Sequence, residues 1–198
     1  YEAGVSKNYS YGKKFWADEY RLNALISNYP KPYISFMQGY TMGGGVGISC
    51  HGSHRIICET SKIAMPECSI GLVPDVGGSL LLAKAPDSIG YFLGLTGAQM
   101  RAADAIYAGF ADFYVPKDEW PYIIEKLEIT GGCSILSEEA KNPEFGKLAE
   151  EKQFFKTAFA SKNLEKIVDF LTGSKNQFAN FTLNQIEKNC PLAMSYTI

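Results

Sequence analysis

The sequence lacks a surplus of charge of either sign. Nineteen Lys and Arg face 21 Asp and Glu, for a formal net charge of -2. That balance gives no electrostatic case for nucleic acid as a partner. No apolar run is long enough to span a bilayer, and no signal peptide is visible, so no membrane partner is expected. Cysteine is sparse, odd in number and spread out: Cys50, Cys58, Cys68, Cys133 and Cys190. A disulfide framework is not expected, and a reducing compartment fits better. An initiating Met is missing too. The chain opens on Tyr1 and closes on Ile198 inside an apolar stretch, as expected of a piece of a longer chain. What is present is an ordinary globular composition, 46% hydrophobic and 20% charged over 198 residues. That is enough for one sizeable core.

KKFWADEYRLNALISNYP (13–30) reads as a helix. Phe15, Leu22, Leu25 and Ile26 recur at helical spacing, and Pro30 ends it. YISFMQG (33–39) reads as one short strand running into Gly39. GGGVGISCHG (43–52) is a glycine-rich turn entering a helix. RIICE and KIAMP are short strands, and GGSLLLAKA (77–85) is a helix. Asp87 stands where it can cap the next helix, SIGYFLGL, with Gly97 just past its end. AADAIYAGF is a further helix and ADFYV a strand. This alternation through Pro116 predicts an α/β class. Beyond it the chain turns charged and helical: KDEWPYIIEKLEI, FGKLAEEKQFFKTAF, LEKIVDFL and FANFTLNQIEKN. No strand pattern is visible there, and TGGCSILSEEAKNPEFG (130–146) reads as a linker.

Three motifs could carry chemistry. Gly43-Gly44-Gly45-Val46-Gly47 lies between strand and helix. Glycines let a backbone approach a ligand, and a helix N-terminus offers free N–H groups to a phosphate or an oxyanion. No Lys-Ser/Thr follows, and Cys50 stands where a dinucleotide motif needs its last glycine, so both phosphate motifs fail. Tight helix–strand packing would demand the same glycines. Ser49-Cys50-His51-Gly52, with His54 and Cys58, invites a nucleophile or metal reading. His51 stands where a nucleophile elbow needs glycine, and the spacing matches no usual zinc pattern. The third motif is AMPECSIGLVPDVGG (64–78). It sets Glu67 and Asp75 among apolar residues, where an unpaired carboxylate is costly. Across a Gly-Pro loop the two can converge on one pocket, and their pKa values then separate into a base and an acid. Equally, Glu67 can cap a turn and Asp75 the helix that follows.

Taken together, the glycine triplet, AMPE, GLVPDVGG, LTG and A-x-x-A-x-x-AGF-A-x-x-x-V-P resemble the crotonase (enoyl-CoA hydratase/isomerase) superfamily. KPYISFMQGYTMGGGVGISCHGSHRI, IAMPE, IGLVPDVGG and GYFLGLTG resemble its 3-hydroxyisobutyryl-CoA hydrolase branch in particular. The resemblance is strong from Trp16 to Pro116 and weaker beyond, where NCPLAMSYTI resembles the start of a later family helix. It implies a spiral of β-sheet turns packed with helices. Residues 1–116 would be a partial α/β core and 117–198 a helical C-terminal region.

The resemblance also implies an oxyanion hole for a thioester carbonyl. Gly44 N–H would be one donor. The other would come from an upstream Ala/Gly-rich segment outside these 198 residues. Family hydratases carry a glutamate where this chain has Gly47, and a glycine where it has Asp75. Glu67 matches the second hydratase acid, and Glu19 in EYRLN matches a pocket acid of the hydrolases. A solvated helix-face glutamate is the plainer account of Glu19. The swap points to hydrolysis of 3-hydroxyisobutyryl-CoA, a step of valine catabolism, with Glu67 and Asp75 catalytic and Gly44 and Glu19 on the substrate. No metal or separate cofactor is implied, because coenzyme A arrives as part of the acyl-CoA substrate. Family members often form trimers or hexamers, so a homo-oligomer is expected. The location would be cytoplasmic in a bacterium and the mitochondrial matrix in a eukaryote. Another crotonase reaction, or a catalytically silent acyl-CoA-binding or assembly module, are the competing expectations.

Overall fold

The computed structural model describes residues 2–198. A single helical turn, α1 (Glu2–Val5), precedes the long helix α2 (Ser10–Ser27). Asn28 closes α2 with its backbone N–H and side-chain amide on Ala24 O, and Pro30 forbids continuation. Strands β1 (Ile34–Met37) and β2 (Tyr40–Met42) follow. The sequence predicted one strand here. A turn at Gly39, with φ +61°, splits the extended chain and sends its halves to different sheets.

Helix α3 (Gly44–Ser49) then leads to β3 (His54–Ile57) and β4 (Lys62–Ala64). β3 pairs parallel with β1, Ile34 opposite His54, and β4 pairs parallel with β2, Tyr40 opposite Lys62. Parallel neighbours need a crossover, and α3 supplies it. Each pass of the chain therefore adds one strand to each of two sheets, which is the expected spiral. A 3₁₀ turn (Glu67–Ile70) leaves β4, followed by α4 (Gly78–Lys84), α5 (Ile89–Thr96) and α6 (Ala102–Tyr107). Strand β5 (Phe113–Tyr114) completes the order β1-β3-β5. Arg55 on β3 grips Asp112 through two donors on one edge of its guanidinium, Nε at 2.9 Å and Nη2 at 2.5 Å, and so fixes the entry to β5.

The remaining helices are α7 (Trp120–Thr130), α8 (Ser134–Glu138), α9 (Lys147–Glu150), α10 (Lys152–Ala158), α11 (Leu164–Gly173), α12 (Gln177–Ile186) and α13 (Pro191–Thr197). One continuous core joins Met37, Val46, Ile57 and Met65 of the spiral to Phe155, Ile167, Leu171 and Met194 of these helices. Phe92 on α5 is its hub, with ring centroids 4.8 Å from Phe155.

Two expectations need correction. The stretch 130–146 is not a bare linker. α8 buries Leu136 against Trp120 and Ile123, and Lys141 N–H donates to Tyr114 O at 2.8 Å, an antiparallel bridge onto β5. Asp87 is not a cap either. It sits at φ +58° with Ser88 between it and the helix, and its carboxylate takes Tyr107 OH at 2.5 Å and Lys156 Nζ at 2.8 Å. Those bonds to α6 and α10 hold its side chain away from the α5 terminus. Gly97, at φ +65°, does close α5, its N–H on Leu93 O.

Candidate active site

The site is built around the start of α3. Gly43 O accepts from Val46 N–H at 2.8 Å and Gly47 N–H at 3.2 Å, which closes the first turn. Gly44 occupies the first helical position, where a backbone N–H has no intrahelical acceptor to reach. Its residue is exposed.

Two carboxylates flank this turn. A Cβ on Gly43 would lie 3.4 Å from Glu67 Oε1, and a Cβ on Gly44 would lie 2.9 Å from Glu19 Oε1. Glu67 opens the 3₁₀ turn behind Pro66 and is only 5% exposed. Its Oε2 has no hydrogen-bond partner among the described residues. Burial pushes its carboxyl up to about 7, its own backbone N–H opposes that, and the charge of Asp75 adds to it. Glu19 is half-buried on α2, so the solvated-face account does not hold. Burial raises its pKa, and Asp75 raises it further.

Asp75 is half-buried in the loop before α4, whose N-cap is Gly77. Its carboxylate caps no helix. Oδ2 accepts from Tyr20 OH at 2.8 Å, while the backbone O takes Gly78 N–H at 2.6 Å. Burial first, then that bond, push the Tyr20 phenol up to about 12. Glu19, Gly44, Glu67 and Asp75 are thus brought together, from three segments that are distant in sequence.

Residues outside the sequence reading complete the surroundings. Glu19, Asn23 and Ile26 share the face of α2 that meets α3, at spacings of four and three. Phe15, Leu22 and Leu25 are exposed instead. Asn23 is 5% exposed, and neither carboxamide atom has a partner among the described residues. A polar residue one turn beyond Glu19 was the signal available for it. The Ser-Cys-His cluster forms no nucleophile. Cys50 is buried with its thiol pushed up to about 12, its Sγ 3.7 Å from Met37 Sδ. Among the described residues no cluster of three His, Cys, Asp or Glu could hold a metal.

Gly47 explains why the hydratase glutamate has no place here. A Cβ on it would lie 2.7 Å from Asn23 Nδ2 and 2.8 Å from Val76 Cβ. Alanine gains about 1 kcal/mol of helix propensity over glycine. Overpacking costs about 1–3 kcal/mol and should win. Gly47→Ala is therefore expected to lower the denaturation midpoint, and Gly47→Glu to lower it further. An unchanged midpoint would show that Asn23 and Val76 move aside freely.

The chain is 33% identical over 195 residues to the mitochondrial 3-hydroxyisobutyryl-CoA hydrolase of Xenopus tropicalis, covering 92% of this chain and 50% of that protein. It is 44% identical over 124 residues to small ribosomal subunit protein mS47 of Neurospora crassa, covering 63% of this chain and 24% of that one. A crystal structure of an enoyl-CoA hydratase from Rhodobacter sphaeroides superposes with a TM-score of 0.93 at 45% identity, over 99% of this chain and 57% of that chain. The chain spans about half the length of the hydrolase it matches. The two-sheet spiral is the crotonase fold. Since the family model for enoyl-CoA hydratase/isomerase matches residues 1–198 throughout, the chain belongs to that family.

Proposed function

We propose that the protein carrying this chain hydrolyses a short β-hydroxyacyl-CoA thioester, 3-hydroxyisobutyryl-CoA first. One observation carries the reading: the turn at Gly43 and Gly44 lies between two carboxylates, Glu67 and Glu19, and both feel the charge of Asp75. Gly44 N–H polarises the thioester carbonyl, whose oxygen gains negative charge in the transition state. Ionised Glu67 draws a proton from the attacking water, or attacks the carbonyl carbon itself to form a mixed anhydride that water then cleaves, restoring the carboxylate. The C–S bond breaks, and the thiolate of coenzyme A leaves with a proton. Asp75 orients the substrate hydroxyl or assists that proton transfer. The hydrolase relative supports this reaction, and its mitochondrial location supports the matrix if the host is eukaryotic.

The likeness to a structure named an enoyl-CoA hydratase pulls toward hydration. Gly47 argues the other way, since Asn23 and Val76 fill the space a glutamate would need. A second reading, a catalytically silent assembly module, is favoured by the 44% identity to mS47. Thiol release from 3-hydroxyisobutyryl-CoA by the intact protein separates them. Release supports the hydrolase, loss of water to the enoyl-CoA without thiol release the hydratase, and acyl-CoA left unchanged the silent module.

Asp75→Asn is expected to lower kcat by about 10²-fold with KM changed less than about threefold. Asn keeps a hydrogen-bond acceptor for Tyr20 OH but loses the charge and the proton site. Steady-state kinetics check it. A lost affinity with normal turnover of bound substrate would make Asp75 a binding residue.

A further inference from the structure

We infer that His51 is a positioning residue for Asp75; its part in turnover rests on the hydrolase reading above. The observation begins with strain. Val76, next to Asp75, has φ +47°, a left-handed backbone that a β-branched residue rarely adopts. Such a conformation persists only where the surroundings hold it. His51 does much of the holding. Its Nε2 lies 2.7 Å from Val76 O, and a carbonyl only accepts, so Nε2 carries the proton and donates. The ring also fills the space beside Gly77. A Cβ there would lie 2.6 Å from Nε2 and 2.7 Å from Cε1. Gly77 thus serves twice, for its φ of +75° and for room to seat the imidazole.

The chain geometry gives this contact a consequence. α3 starts at Gly44 and ends at Ser49, with Cys50 as its C-cap and His51 next. Midway along it, Gly47 abuts Val76, which is itself buried. One short element therefore carries the N–H that faces the thioester carbonyl and, through Gly47 and His51, fixes the backbone that presents Asp75. Tyr20 fixes the other end of the same acid, at Oδ2. A hydrogen-bonded shell of this kind holds a functional group near its working geometry. The motif that fails as a nucleophile or metal site serves as a bracket between two halves of the site.

The test uses the intact protein with His51→Phe, which keeps a ring and removes the donor, and His51→Gln, which keeps a donor. His51→Phe is expected to lower kcat for 3-hydroxyisobutyryl-CoA about tenfold with KM within about twofold, and His51→Gln to recover most of that loss. In an Asp75→Asn background, His51→Phe is expected to cost less than about twofold more, because the residue it places is already disabled. Additive losses, or a raised KM with kcat unchanged, would overturn the inference. Hydrogen exchange over residues 72–80 supplies a readout independent of activity. Exchange at Gly78 N–H should quicken in His51→Phe and not in His51→Gln, and equal exchange in all three proteins would overturn the positioning role. If the wild type releases no thiol, the hydrolase reading fails alone and the exchange result still rules on His51. If His51→Phe does not fold, His51→Leu takes its place in both measurements.

Discussion

Glu67→Gln is expected to lower thioester hydrolysis by about 10² to 10⁴-fold while the protein stays folded. Gln has nearly the same shape and cannot ionise, so the change removes the base and little else. Burial holds the Glu67 carboxyl near 7, so a usable fraction is ionised at neutral pH. Wild-type kcat/KM should then rise about tenfold per pH unit below 7 and level off above it, and the variant should lose that rise. The stability linkage has the opposite sign. A carboxyl raised on folding contributes stability below its unfolded value, and that contribution is lost as pH climbs through about 7. Glu67→Gln should therefore be the more stable protein at pH 8 relative to wild type, measured by chemical denaturation. The activity readout is thiol release by the intact protein. A variant within tenfold of wild type would sink the assignment of Glu67.

Glu67 and Asp75 were legible in the sequence because each is locally anomalous, whereas Glu19 came from the family resemblance alone. Glu67 and Asp75 stand among Ile70, Leu72, Val73 and Val76, where charge is out of place. The glycine and proline punctuation made the alternation of strands and helices legible, and the spiral itself came from the family motifs. What escaped was set by partners far along the chain. Tyr20 reaches Asp75 across 55 positions, and His51 reaches Val76 across 25. No local pattern encodes such pairs. β2 escaped because three residues beyond a glycine turn are too short for a period of two to show. α2 misled for a related reason. Its apolar residues do recur at helical spacing, but the face that packs on α3 is the one bearing Glu19, Asn23 and Ile26. Periodicity marks a helix without saying which face its neighbour takes. The stretch 130–146 looked like a linker by composition, yet one leucine, Leu136, and one backbone bond at Lys141 anchor it.

3-Hydroxyisobutyryl-CoA is expected to be hydrolysed with kcat/KM about 10⁴-fold above that of isobutyryl-CoA. The two substrates differ only in a hydroxyl. Hydrolysis of a bare thioester needs one base and donors for the carbonyl oxygen. This site holds Glu19, Glu67 and Asp75 together, and burial raises the pKa of the first two. Each desolvated acid carries a cost, so a pocket shaped for an unfunctionalised tail would not gather three. A substrate hydroxyl changes the balance by donating to a carboxylate. Tyr20 OH takes Oδ2 of Asp75, and a carboxylate has further acceptor sites for a substrate hydroxyl. When the hydroxyl is missing, a desolvated acid stays unpaired, and the penalty falls on the poorer substrate. A site that merely tolerates an extra polar group discriminates weakly, by about 10² or less. The two cases therefore differ by orders of magnitude, well beyond assay error. Equal kcat/KM values for the two thioesters would show that the acids do not read the hydroxyl, and the assignment of a β-hydroxyacyl substrate would go.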